Sequence, residues 1–363
     1  MSDPAKTAPQ PTLLFMPDIS GFTNFVKTTE INHARHIIEE LLNKLIEANQ
    51  LGLEVAEIEG DAILFARAGA PPSAAELLAQ VRRMFVAFHA HLKLYESRRI
   101  CYCGACRTAQ DLQLKFIAHH GPVARSSIGG HSKLFGEDVI AAHRLLKNSV
   151  PVADYVLVTD AVRAGWSALP SWVRAQSGSD RYDCGEFRYV FAPLDALKGE
   201  VPAPEPIDFA PPQTTRTLTS CELEVAAPIE LLFDVATDLP LRVKWTNGVH
   251  QVVLLNDKLN RAGTRHRCIA DEKIPLLVTA RGEQSPDLLS FSEGDDKQMA
   301  RLVYVFRRIG PDRSLARMEF FVKDSLPVRM LFGLMKKKMG RNFAASLANL
   351  ARYCEEQHRA AAA

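Results

Sequence analysis

The sequence predicts an α+β chain of two domains. Three observations carry this: a length of 363 residues, against roughly 150 per typical domain; an ordinary globular composition, 47% hydrophobic and 24% charged; and a segment from Val201 to Pro212 in which Pro202, Pro204, Pro206, Pro211 and Pro212 interrupt every periodic pattern. Proline fixes φ and removes a backbone donor, so this segment reads as an extended linker. The expected organisation is a disordered N-terminus (1–11), a first domain (12–197), a linker (198–213) and a second domain (214–358).

In the first domain, Thr12 to Pro17 is a short apolar run suited to a buried strand, and it ends in the polar turn Asp18-Ile19-Ser20-Gly21-Phe22-Thr23. A helix follows over Ala34 to Ala48, where Ile37, Ile38, Leu41, Leu42, Leu45 and Ile46 recur at helical spacing. Leu53 to Glu59 and Ala62 to Ala66 read as a hairpin around Glu59-Gly60-Asp61. Ser73 to Tyr95 is a second helix, Leu112 to His119 a strand and Val139 to Leu146 a third helix. The order β-α-β-β-α-β is the ferredoxin-like plan, with helices on one face of the sheet. In the second domain Thr214 to Val225 alternates as a strand, Pro228 to Thr237 is a short helix, and strands run from Gln251 to Val322. A long helix closes the chain from Val328 to Gln357, with Leu331, Leu334, Met335, Met339, Phe343, Leu347, Leu350 and Cys354 as its apolar stripe.

Charge excludes some functions. With 44 basic against 42 acidic residues, no overall electrostatic footprint for nucleic acid exists. The first residues contain no apolar core of a secretory signal, and no run approaches the roughly 18 apolar residues of a membrane span. Seven cysteines, three of them between Cys101 and Cys106, fit a reducing cytoplasm rather than a disulfide framework.

Two aspartates stand at turns beside strands, Asp18 and Asp61. If the strands are neighbours, the carboxylates reach one point, and paired hard carboxylates suit Mg²⁺ or Mn²⁺ completed by a substrate's phosphates. The backbone from Ser20 to Thr23 precedes a helix, where free N–H groups favour a polyphosphate. Capping or solvated surface roles explain turn aspartates more often than a metal does.

The blocks Phe15-Met16-Pro17-Asp18-Ile19-Ser20-Gly21-Phe22-Thr23, Glu59-Gly60-Asp61-Ala62, His120-Gly121-Pro122-Val123 and Leu134-Phe135-Gly136-Glu137-Asp138-Val139, ending at Arg144, together resemble the class III adenylate/guanylate cyclase catalytic domain. The resemblance covers roughly the first half of the chain. It implies a homodimer, a nucleoside triphosphate as ligand, and a two-metal site at Asp18 and Asp61 with the Ile19 carbonyl beside them. It further implies attack of a 3′-hydroxyl on the α-phosphate with loss of pyrophosphate. Glu57 falls on a base-selecting position and is the residue guanylyl cyclases carry there; its companion position is Lys133. Arg144 matches the family's catalytic arginine. The family's transition-state asparagine falls on Ile140, which has no hydrogen bond to give, and such a loss costs about two to three decades of rate.

Cys101, Cys103 and Cys106 have a spacing that can share a Zn²⁺, with Cys184, His119 or His120 as a fourth ligand; three reduced loop thiols are the equal alternative. The second domain resembles the START-like helix-grip family, also called SRPBCC or polyketide-cyclase-like, on Ala227-Pro228-Ile229-Glu230, Phe233-Asp234 and Trp245. That resemblance implies an antiparallel sheet wrapping the terminal helix around a cavity for a lipid or other hydrophobic small molecule, lined by Trp245, Leu331, Met335, Met339 and Phe343. The run Lys336-Lys337-Lys338 with Arg341 is either an anionic-surface contact or a solvated helix face.

Overall fold

The computed structural model describes residues 8–22, 25, 31–100, 104–128, 131–166, 168–205, 216–255, 260–270 and 275–362. It divides into two compact units, Met1–Lys93 with Thr108–Pro204, and Leu94–Arg107 with Glu205–Ala363. The second unit takes in an early stretch that no composition shift in the sequence marks.

The first unit is built on strands β1 (Gln10–Ser20), β2 (Glu54–Glu59), β3 (Ala62–Ala68), β4 (Gln113–Ile128), β5 (His131–Phe135), β6 (Tyr155–Thr159), β7 (Gln176–Tyr182) and β8 (Gly185–Pro193). They form one sheet in the order β2-β3-β1-β4-β6-β8-β7, with β5 pairing β4. In the order β2-β3-β1-β4 each strand is antiparallel to its neighbours, which is the ferredoxin-like arrangement. Helices α1 (Ile31–Glu47), α2 (Ala74–Arg98), α3 (Gly104–Thr108), α4 (Glu137–Leu145) and α5 (Asp160–Arg163) occur along the same stretch of chain. A capping box starts α2: the Ser73 N–H and hydroxyl donate to Glu76 Oε2 at 2.8 and 2.7 Å, and the Glu76 N–H returns to Ser73 Oγ.

Helices do not keep to one side of this sheet, contrary to the expectation. Leu14 and Met16 of β1 share a core with Ala142 and Leu145 of α4. The alternate residues Leu13 and Phe15 are also fully buried, and Phe15 stacks on Phe116 of β4 at 5.6 Å. On that side α2 reaches the sheet, where His89 Nε2 lies 3.4 Å from Asp154 Oδ1 and the same carboxylate accepts from the Leu114 N–H. The reason is in β1 itself, whose run Leu13-Leu14-Phe15-Met16 is apolar at successive positions and therefore needs cover on both faces.

The second unit holds an antiparallel sheet of β9 (Arg216–Val225), β10 (Val249–Leu254), β11 (Arg265–Ala270), β12 (Leu277–Ser285), β13 (Leu288–Asp295), β14 (Ala300–Gly310) and β15 (Arg313–Val322), in the order β10-β11-β12-β13-β14-β15-β9. With it go α6 (Ile229–Thr237), α7 (Arg242–Trp245) and the long α8 (Leu326–Ala362). Phe233, Phe291, Phe306, Met318, Leu347, Leu350 and Cys354 form its core, which also takes in Ile100. Ile100 sits there because Arg99 bridges Arg261, the Ala262 N–H donates to the Arg98 carbonyl (2.8 Å), and Gln284 Nε2 donates to the Ile100 carbonyl (2.6 Å).

The apolar stripe of α8 splits in two. Met339 and Phe343 pack against the cluster of Ala300, Phe320 and Val322, and Leu347 to Cys354 enter the main core. Leu331, Leu334 and Met335 stand exposed. At about 100° per residue, a three-and-four spacing drifts around the helix, so one stripe in the sequence need not be one face in space. Among the described residues no helix is long and apolar enough to cross a membrane.

Candidate functional site

β1 carries Asp18 to the end of the sheet and pairs it with Ala62 at the start of β3. Pro17 has no N–H to donate, and the β1–β3 pairing pauses at Met16 and Pro17 before resuming at Asp18. Beyond it the Ile19 N–H donates to the Asp61 carbonyl at 3.1 Å. Asp61 sits in the two-residue turn between Glu59 and Ala62, which are paired; Gly60 takes a φ of 62°, a conformation that glycine adopts without strain. The two aspartates that the sequence separates by more than forty positions thus become neighbours, with the Phe22 ring beside Gly60.

Their charges are linked. Burial, and then the adjacent Asp18 carboxylate, push the Asp61 carboxyl up to about 6. Lys115 of β4 opposes this: its Nζ lies 2.8 Å from Asp18 Oδ2 and donates to the Leu146 carbonyl at 2.9 Å. No motif singled out Lys115, because its role depends on the β1–β4 register that sets it opposite Asp18. The donor set is hard oxygen, and one ammonium beside two carboxylates leaves negative charge that a divalent cation would balance. Two carboxylates suit Mg²⁺ or Mn²⁺, which keep waters and take substrate oxygens for the rest of the shell. Among the described residues no group of three or more His, Cys, Asp or Glu converges as a complete cation cage.

The other expected residues surround this point unequally. Glu57 and Lys133 meet, with Oε1 and Nζ 3.5 Å apart. Glu59 of the hairpin pairs with His143 of α4 at 3.5 Å. Arg144 is exposed and forms a two-pronged ion pair with Asp183 at 3.0 and 2.8 Å, a partner the sequence reading did not supply. Ile140, one turn earlier, is exposed. Ser20 ends β1, and Gly21 and Phe22 follow it; Thr23 lies outside the described residues.

The third and fourth motif blocks are joined by a contact that explains their composition. Buried His119 takes Thr159 Oγ1 at 3.0 Å on Nδ1 and Asp138 Oδ1 at 2.9 Å on Nε2, and burial lowers its pKa. A Cβ on Gly121 would lie 2.1 Å from the Asp138 carboxyl carbon, so only glycine admits that carboxylate. Both ring nitrogens of His119 are engaged, and His120 Nε2 lies 3.0 Å from the Gly69 carbonyl. Cys106 is buried on α3, while Cys101 and Cys103 lie outside the described residues.

In the second unit Trp245 is core, edge-on to Tyr304 at 6.2 Å, whereas Leu331 and Met335 are exposed. The sequence reading missed a buried charge cluster there. Arg242 Nη1 lies 2.6 Å from Glu293 Oε2, and His266 Nε2 lies 3.4 Å from Glu293 Oε1. Burial alone would raise the Glu293 carboxyl, but Arg242 and His266 more than offset it and hold it at about 2.

Residues 38–155 match a family model described as a protein of unknown function, DUF2652. The uncharacterized protein Rv2561/Rv2562 of Mycobacterium tuberculosis is 36% identical over 125 residues, 34% of this chain. The chain spans 57% of the length of that curated relative. Among solved structures it is similar to the guanylyl cyclase Cya2, at 17% identity and a TM-score of 0.41 over 52% of this chain and 93% of that one. It is also similar to the adenylyl cyclase CyaB from P. aeruginosa, at 16% identity and a TM-score of 0.38 over 51% and 94% of the two chains.

Proposed function

We propose that the first unit binds a nucleoside triphosphate together with Mg²⁺ or Mn²⁺ at Asp18 and Asp61. The observation that carries this reading is the convergence of the two carboxylates, one of them raised to about 6, at a turn that also presents the Ser20–Phe22 backbone. The metal would neutralise the triphosphate and, in cyclisation, activate the attacking 3′-hydroxyl. Glu57 and Lys133, already paired, would receive the base. Exposed Phe135, Ile140 and Ile58 favour a second copy as cover, hence a homodimer.

Two observations favour binding without turnover, as in a nucleotide-sensing module, over formation of cyclic nucleotide and pyrophosphate. Ile140 has no donor for the transition state, and Arg144 is held by Asp183. For the second unit the reading is a cytoplasmic receptor for a hydrophobic small molecule held between sheet and α8. It is supported by the apolar interior around Phe291 and Phe306, and by Trp245 Nε1 and Thr279 Oγ1, buried polar atoms with no protein partner.

Titration with a fluorescent ATP or GTP analogue, with and without Mn²⁺, tests the first proposal. Wild type should bind in a metal-dependent way, and Asp18→Ala and Asp61→Ala should not. Unchanged binding in both variants would overturn it. Product analysis of the same mixtures separates a sensor from a cyclase, and sedimentation reports the dimer.

A further inference from the structure

The start of α8 presents an unusual surface. Its inner side is anchored, with Val328, Phe332, Met339 and Phe343 packed on the cluster of Ala300, Phe320 and Val322. Its outer side carries Leu326, Met330 and Leu334, spaced four apart and 69%, 68% and 89% exposed, with Leu331 and Met335 exposed beside them. Single exposed leucines are ordinary on protein surfaces. Five large apolar side chains on one anchored helix segment form a patch of the kind that marks an interaction site.

Charge identifies the partner. From Lys323 to Arg341 the sequence places Lys323, Arg329, Lys336, Lys337, Lys338 and Arg341 against a single acid, Asp324. At about 100° per residue, Lys337, Lys338 and Arg341 continue the arc occupied by Leu326, Met330 and Leu334, one to two turns further on. The outer face is thus apolar first and basic next. A protein partner or second copy would have to match both zones with its own surface, whereas a bilayer offers that order by construction, acyl chains beneath anionic headgroups.

We infer that the first turns of α8 dock on an anionic lipid surface, the leucines and methionines entering the headgroup–acyl boundary while the basic residues meet the phosphates. Each basic side chain near such a surface contributes roughly fivefold in affinity, and apolar burial adds to it. The inference is independent of nucleotide binding by the first unit.

Flotation of the full-length protein with phosphatidylcholine vesicles, with and without phosphatidylglycerol, tests it. Wild type should float with the anionic vesicles only, and added salt should weaken the binding. Replacing Lys337, Lys338 and Arg341 by Gln should reduce binding about a hundredfold. Leu334→Asp should abolish it while leaving the circular dichroism spectrum and melting temperature unchanged, since the side chain is exposed. Equal flotation with neutral vesicles, binding that survives Leu334→Asp, or loss of a self-association on Leu334→Asp without any vesicle binding by wild type would each overturn the inference.

Discussion

Replacing Asp61 by Asn should make the metal-free protein more stable while removing the metal-dependent nucleotide binding proposed for it. The Asp61 carboxyl moves from an ordinary 3.8 to about 6 on folding, chiefly through burial and then through Asp18. At about 1.4 kcal/mol per pH unit the ionised form carries a ceiling of roughly 3 kcal/mol of strain. The group is only half-buried, and solvent screening reduces this to about 1 kcal/mol. The sign follows from linkage. A carboxyl whose folded pKa is raised is best tolerated when protonated, so the penalty is absent below about 4, grows as pH rises to about 6, and is constant above that. Asp61→Asn should therefore raise the melting temperature by roughly 2–4 °C at pH 7.5 and by little near pH 4. Mn²⁺ at tenfold its dissociation constant should stabilise wild type by about 1.4 kcal/mol and leave the variant unmoved. Thermal unfolding by calorimetry, at both pH values and with and without Mn²⁺, reads all of this. A variant less stable than wild type at pH 7.5, a gain that ignores pH, or equal Mn²⁺ stabilisation of both proteins would refute the reasoning.

Ile140→Asn should restore a transition-state donor and raise cyclic-nucleotide formation by about two decades, read by chromatography of ATP and GTP reactions; no change would locate the deficit elsewhere, with Asp183→Ala, which frees Arg144, as the next variant. Glu293→Gln should cost about 3–5 kcal/mol in urea unfolding by leaving Arg242 buried and uncompensated, whereas Arg242→Met with Glu293→Leu should be nearly neutral. In wild type the stabilisation from Glu293 is present above pH 4.5 and is lost as pH falls through about 2, because its folded pKa is depressed. Gly121→Ala should displace Asp138, break its contact with His119 and lower stability by about 1–3 kcal/mol in the same assay.

What could be read in the sequence was local. The β1 run, the Glu59–Ala62 turn and α4 follow from apolar spacing and turn residues, and the motif blocks imply a shared site for Asp18 and Asp61. Contacts set by register were not legible. Lys115 reaches Asp18 only because β4 lies antiparallel to β1, and Asp183 reaches Arg144 from the turn between β7 and β8. Glu293 reads as an ordinary strand carboxylate until Arg242 and His266 close on it. The α8 stripe misled for a geometric reason, since hydrophobic residues three and four apart can serve a core at one end of a helix and stand in solvent at the other.

The early stretch claimed by the second unit bears on how the chain can be divided. Leu94–Arg107 is made long before the rest of that unit, and Tyr95 and Ile100 are buried within it. A cut at the proline-rich segment, yielding fragments 1–205 and 206–363, would strip the larger part of the second unit of a piece of its own interior. Protease nicking there should leave two polypeptides that co-purify until denatured, and a separately expressed 206–363 should need 94–107 supplied as a peptide. During synthesis, this stretch must wait for more than two hundred further residues before its unit can close.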